Sequence, residues 1–291
     1  MVFLGGPRQV GKTTLALDIL GAKDRRHPAY LNWDSPHARK RLMDSEIPGG
    51  QPLLVLDEIH KFPRWRNLVK GFFDTRGEGT SFLVTGSARL DHYRKGGDSL
   101  QGRYHHYRLH PFSLGELTIT PNSGDLETLM RFGGFPEPLL AGDSRAWRRW
   151  QRERMSRVVY EDLRDLENLR QVALVELLVE ALPDRVENLV AGHLLKYCHF
   201  LEDTGGFRME LRFIRDTDRR EVDFVVLKDR RPLFAVECKS GEKSPSRTIG
   251  YFRERTDIPE FYQVHPGARD YVASGTRVMP FATFCRELGL P

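Results

Sequence analysis

Hydrophobic and polar positions follow three successive regimes along the chain. Over residues 1–120, short solid apolar runs alternate with stretches of helical spacing. Residues 2–5, 28–32, 53–56, 81–85 and 105–109 read as strands, and 12–20 and 64–74 as helices. The second helix places Trp65, Leu68, Val69, Phe72 and Phe73 on one side. Solid apolar strands between helices predict a parallel sheet covered on both faces. From about 125 to 182 the spacing is helical, with 144–166 and 168–182 the longer candidates. Gly133-Gly134-Phe135-Pro136 breaks that pattern once, and Pro183 ends it. From 187 onward an amphipathic helix (187–201) precedes strands at 208–215, 221–227 and 232–239. A helix at 248–255, strands at 260–264 and 276–279, and a last helix at 281–288 complete a second α/β unit.

The connection between the first strand and the first helix carries chemistry. It reads Gly6-Pro7-Arg8-Gln9-Val10-Gly11-Lys12-Thr13-Thr14, a complete G-x-x-x-x-G-K-[ST] loop. Its glycines let backbone N–H groups turn toward phosphates, and the helix it opens favours negative charge at its N-terminus. Lys12 is expected to reach the β- and γ-phosphates of ATP, and the Thr13 hydroxyl to ligate Mg²⁺. The run Leu53-Leu54-Val55-Leu56 ends in Asp57-Glu58, an apolar strand closing on acids. Asp57 is the second expected Mg²⁺ ligand, and Glu58 the general base toward the attacking water. The strand at 81–85 is expected beside it, with Ser87 or Thr85 sensing the γ-phosphate.

At these residues a family resemblance becomes visible. GPRQVGKTTL, LLVLDEIHKFPRW, FLVTGSARL, LQGRYHHYRLHPFSLGEL and GGFPEPLL resemble successive motifs of AAA+-like prokaryotic ATPases that carry an uncharacterised C-terminal domain. The resemblance implies an additional-strand P-loop core with a sensor at Ser87. It also implies a role for Arg103 as an arginine finger reaching a neighbouring subunit's nucleotide, or as an ordinary pairing arginine. A homo-oligomer is expected only under the first of these. Against the family pattern the first strand is expected to be short, beginning at Val2, with no docking helix before it. The winged-helix-like segment expected between 182 and 187 is missing too, which predicts lowered stability or altered assembly.

In the last third, Asp223 opens one apolar strand, and Glu237 and Lys239 lie on the next. Glu237 and Lys239 are two apart and share a face. A hairpin of that length can bring Asp223 opposite Glu237, and two carboxylates with a lysine can hold Mg²⁺ for phosphodiester cleavage. Glu187 on the preceding helix is a further acidic candidate. The pattern resembles the PD-(D/E)xK nuclease fold; the alternative is a nuclease-like remnant whose charged residues pair with each other.

The expected fold class is therefore α/β: a P-loop NTPase parallel sheet with a helical lid, followed by a smaller restriction-endonuclease-like domain. The expected divisions are 1–120, 121–186 and 187–291. Composition changes little in this picture. Of 291 residues 40% are apolar and 29% charged, as in a soluble chain with a real core. The apolar run at the N-terminus feeds into the loop at Gly6, so no signal peptide is read. Nothing reaches 18 consecutive apolar residues, so no membrane partner is expected. Three distant cysteines, Cys198, Cys238 and Cys285, fit reduced thiols in the cytoplasm. The net charge is +5, with six arginines between Arg145 and Arg157 against Glu153 alone. That stripe reads as a solvated or subunit-packing helix face, or as a contact for non-specific nucleic acid. Three functions stay open: an ATPase that moves its C-terminal domain, an ATP-regulated nuclease, and a non-catalytic ATP-binding interaction protein.

Overall fold

A computed structural model describes residues 1–290 except 76–78, 87–99, 101, 119–121 and 158–184. The chain divides into two compact units, Met1–His110 and Pro111–Pro291.

The first unit is built on five parallel strands: β1 (Val2–Gly5), β2 (Tyr30–Asn32), β3 (Leu53–Asp57), β4 (Ser81–Thr85) and β5 (His105–Arg108). Their order across the sheet is β2-β3-β4-β1-β5. Thus β4 is inserted between the strand that leads into the glycine loop and the strand that ends in Asp57. Alternate residues of the strands feed two cores, which is why the strands read as solid apolar runs. On one face Leu4, Val55 and Leu83 pack with Ala16 of α1 (Lys12–Ile19). On the other, Phe3, Leu54, Leu56, Phe82 and Val84 pack under α2 (Pro36–Met43) and α3 (Trp65–Thr75). Helix α3 buries Trp65, Val69 and Phe72, the expected stripe. Helix α2 escapes the hydrophobic pattern because only Ala38 and Leu42 are buried. Its start is held by capping chemistry instead: the Ser35 side chain accepts from the Ala38 N–H, and Pro36 opens the helix.

In the second unit, α4 (Leu114–Leu117), α5 (Ser123–Phe132), α6 (Pro136–Ala141) and α7 (Ser144–Arg157) precede the long α8 (Arg185–Gly205). A six-stranded sheet follows: β6 (Met209–Arg215), β7 (Glu221–Lys228), β8 (Arg231–Cys238), β9 (Phe261–His265), β10 (Tyr271–Ala273) and β11 (Thr276–Pro280). Its order is β10-β11-β9-β8-β7-β6. Strands β6, β7 and β8 form an antiparallel meander, and β8, β9 and β11 run parallel. Two further helices are α9 (Arg247–Arg253) and α10 (Phe281–Glu287). One sheet face buries Phe234, Val236 and Val264 against Val190 and Leu194 of α8 and Phe281 and Phe284 of α10. The other buries Val225, Ala235 and Phe261 under Ile249 and Phe252 of α9.

Residues that the sequence sets apart as a lid share the larger of these two cores. Leu126, Leu129 and Phe132 of α5 and Leu139 of α6 are buried in it beside Val190 and Phe281. The Gly133-Gly134 break has a packing cause. A Cβ on Gly134 would lie 2.2 Å from the carbonyl oxygen of Phe112, whose N–H donates back to Gly134 at 2.7 Å. A second tie clamps α4 to α8. The Lys196 ammonium pairs with Glu116 and donates to Ser113 Oγ at 3.1 Å. The His193 ring donates to Leu189 O at 2.8 Å and accepts the Leu114 N–H at 2.9 Å. Burial pushes His193 down to about 4, so it is neutral at pH 7.

No cysteine forms a disulfide, and all three are buried. Among the described residues no helix is long and apolar enough to cross a membrane. In the arginine stripe of α7, Arg145, Arg148, Arg149 and Arg152 are exposed, while Arg154 stacks 3.7 Å from the Phe135 ring centroid. The expected helix at 168–182 and the 182–187 gap, up to residue 184, lie outside the described residues.

Candidate functional site

The loop 6–13 leaves the carboxyl end of β1 and enters α1 at Lys12. Only glycine serves at its first position. Gly6 has φ 149°, and a Cβ there would meet the Leu109 carbonyl oxygen at 2.4 Å. Gln9 and Gly11 are also left-handed, at φ 63° and 103°. Successive residues of this kind turn main-chain N–H groups into one concavity suited to anions. Lys12 is buried, and its ammonium donates to the carbonyls of Gly6 at 2.9 Å and Pro7 at 2.7 Å. Pro7, Arg8, Val10 and Thr14 complete the loop and first turn.

Strand register supplies the rest. Asn32 on β2, Asp57 on β3 and Thr85 on β4 pair directly, so three neighbouring strands end in one row. That row points to the face covered by α1, where the Thr13 hydroxyl donates to Asp57 Oδ2 at 3.0 Å. Tyr30 donates to the same oxygen at 2.5 Å and Asn32 Nδ2 at 3.2 Å, while Thr85 donates to Oδ1. Asp57 is 1% exposed. Burial, reinforced by the Asp57 hydrogen bond, pushes the Tyr30 phenol well above its usual range, so it acts as a donor. Thr85, one of two residues expected to sense phosphate, thus holds Asp57. Ser87, the other, lies outside the described residues.

Glu58 follows Asp57 in a left-handed conformation, φ 58°, a strain of about 1 kcal/mol for a residue with a side chain. Its N–H donates to Thr85 O at 3.0 Å, and its carboxylate lies 3.2 Å from the Lys61 ammonium. Lys61 also binds Asp34 at 2.6 Å. Burial opposes the Lys61 charge, but Asp34 and Glu58 outweigh it and raise its pKa.

Arg103 is not part of this cluster. It precedes β5 at the amino edge of the sheet, where its carbonyl accepts from the Met1 amino group at 3.1 Å. The loop 6–13 lies at the opposite, carboxyl edge. The Arg103 guanidinium pairs with Asp74 of α3.

In the second unit the hairpin brings Asp223 and Glu237 together. Phe224 pairs with Val236, which sets Asp223 beside Glu237 on the face covered by α9. Asp223 Oδ2 accepts the Cys238 N–H at 2.6 Å, and Glu237 Oε1 accepts from Lys239 Nζ at 2.6 Å. Glu237 is 5% exposed, and its Oε2 meets no donor among the described residues. Burial pushes its carboxyl above the usual range; Lys239 opposes the rise and Asp223 adds to it. Glu187 lies in the first turn of α8, the helix that covers the opposite face. Among the described residues no three His, Cys, Asp or Glu side chains form a metal-sized group.

Residues that the sequence did not single out are Tyr30 and Asn32. They share one side of β2, but which carboxylate they meet depends on register across two strands.

A five-stranded parallel sheet in this order, with a glycine-turned loop leaving its β1 strand and a threonine–aspartate contact below, defines a P-loop NTPase unit followed by a second, mixed-sheet domain. Comparison with known families agrees: residues 1–118 match the profile of an AAA domain. Residues 184–284 match a domain of unknown function (DUF4143), and 123–205 match another (DUF8612). The chain is also similar to Uncharacterized protein Mb2031c of Mycobacterium bovis, 29% identical over 153 residues. Uncharacterized protein Rv2008c of Mycobacterium tuberculosis gives the same identity over the same length. Each match covers 51% of this chain and 33% of the relative, so the matched segment spans about a third of the relatives' length.

Proposed function

We propose that this chain binds Mg²⁺–ATP at residues 6–14 and hydrolyses it. The observation that carries the reading is the contact between Thr13 and Asp57, two hard oxygen ligands brought within 3.0 Å from different elements. Loop N–H groups and the N-terminus of α1 would receive the phosphates. Lys12 would exchange its two carbonyl contacts for phosphate oxygens. Thr13 and Asp57 would hold Mg²⁺, which when bound draws charge from the phosphates. Tyr30, Asn32 and Thr85 fix the Asp57 carboxylate before nucleotide arrives. Glu58 would take the proton of the attacking water, its backbone held by Thr85 and its carboxylate lightly restrained by Lys61.

Steady-state phosphate release tests this. Glu58→Gln should lower turnover by about 10²–10⁴-fold, the usual worth of a positioned base, with ATP affinity nearly unchanged. Equal turnover in the variant and the wild type would remove Glu58 from the mechanism. Absence of turnover in the wild type, with ATP still bound, would leave a non-catalytic binding protein. Arg103, paired with Asp74 at the far edge of the sheet, supplies nothing to the site of its own chain. Phosphodiester cleavage has weaker support: Asp223 and Glu237 are adjacent, but each already accepts a hydrogen bond from its own chain.

A further inference from the structure

Strand β2 is an edge of the first sheet, and beside it lies a cavity of about 530 Å³. That volume is within the range of small-molecule sites. Its wall comes from one short stretch of chain. Arg25, Arg26 and His27 enter from the segment before β2, and His37 and Arg41 from α2. Three arginines and two histidines therefore border one concavity. None of the three arginines forms an ion pair among the described residues. The one acid on the wall, Asp34, is already bound to Lys61 at 2.6 Å. Unneutralised charge of one sign in a concavity focuses potential and attracts a counter-ion.

We infer that this cavity binds a compact, multiply charged phosphate-bearing ligand, separate from the nucleotide on the loop 6–14. Guanidinium forks match phosphate oxygens in pairs, and several arginines call for more negative charge than one carboxylate brings. The cavity is also coupled to the first site. Tyr30 and Asn32 line it, and both donate to Asp57. Arg25 and Arg41 thus share a wall with two residues that hold the proposed Mg²⁺ ligand. The compact arc of residues 25–41 favours a small ligand over a nucleic-acid strand, which needs a longer basic track.

Pyrophosphate is the probe, titrated calorimetrically into the full chain after saturation with a non-hydrolysable ATP analogue and Mg²⁺. One equivalent should still bind. In Arg25→Ala/Arg41→Ala its dissociation constant should rise about tenfold or more, while analogue affinity changes less than twofold and the thermal midpoint holds. Loss of pyrophosphate binding on saturation with the analogue would overturn the inference. So would wild-type affinity in the double variant. A short single-stranded oligonucleotide that displaces pyrophosphate, and needs the same two arginines, would overturn the small-ligand class. Failure of the analogue itself to bind would count against the ATP site alone. Pyrophosphate titrated without the analogue would then still read the arginines.

Discussion

The two units each hold a buried carboxylate at the end of a strand, and they treat it in opposite ways. Asp57 receives its donors from side chains on three other elements: Thr13 of α1, Tyr30 and Asn32 of β2, and Thr85 of β4. These are side chains that can let go or reorient when a cation arrives. Asp223 is held by the main-chain N–H of Cys238, and Glu237 by Lys239 two residues away. Those contacts are local, and the first belongs to the strand backbone. Parallel strands collect side chains from distant parts of the chain at one edge, whereas a hairpin pairs residues already close in sequence. The first arrangement is suited to exchanging partners for a ligand, the second to closing a core.

A matched pair of variants separates the two carboxylates by the largest expected effect. Asp57→Asn should cut ATP turnover by about 10³-fold, the several kcal/mol that a well-held metal contributes. Asp223→Asn should leave turnover within about twofold, in the same phosphate-release assay. Equal losses would mean that both carboxylates serve the nucleotide.

Next in size is a pH effect confined to the second unit. His193 is pushed from 6.5 to about 4 by burial, so the unfolded chain binds more protons between those values. Its stabilisation is complete above pH 6.5 and is lost as pH falls toward 4, by up to about 3 kcal/mol. Denaturant unfolding at pH 7, 5.5 and 4.5 should show this fall, and His193→Gln should flatten it. An unchanged slope in the variant would mean that the ring is not the titrating group.

Smaller still is the effect of Tyr30→Phe, which keeps the ring and removes one donor to Asp57. The Mg²⁺ concentration for half-maximal nucleotide binding should rise about tenfold, as for other groups that orient a metal ligand. A fall in stability without that shift would make Tyr30 a packing residue only. The smallest effect is expected at Glu237→Gln. Relief of a buried charge and loss of the Lys239 pair oppose each other, so the unfolding free energy should change by about 1 kcal/mol or less. A loss of 3 kcal/mol or more would show that the pair is essential to the hairpin.

Much of this was legible in the sequence, because solid apolar strands and the glycine loop are local signals. Every strand of the first sheet was readable, as were β6, β7, β8, β9 and β11 of the second. Strand β10 was not: Tyr271 and Val272 are largely exposed at a sheet edge, so no hydrophobic alternation marks them. Lys12, Thr13 and Asp57 could be named from motif alone. Tyr30 and Asn32 could not, since a tyrosine opening a buried strand looks the same whether or not its hydroxyl meets an acid. The alternatives for Arg103 also differ only in three dimensions, and the salt bridge to Asp74 joins residues 29 apart. The helical spacing from about 125 matches α5, α6 and α7, whereas the short α4 (Leu114–Leu117) was not marked; their allegiance to the C-terminal core rests on packing between distant positions.

The position of β1 inside its sheet also bears on how the protein folds. Val2 pairs with Leu83 on one side and with His105 on the other. Strand β1 thus has both flanks covered only by strands far along the chain, while β6, β7 and β8 pair across short turns. Long-range pairing of this kind is slow, and hairpins are fast. The loop 6–13 is therefore expected to be among the last parts of the first unit to take shape. A nucleotide bound at the proposed site should then slow the unfolding limb of a chevron plot and leave the folding limb where it was.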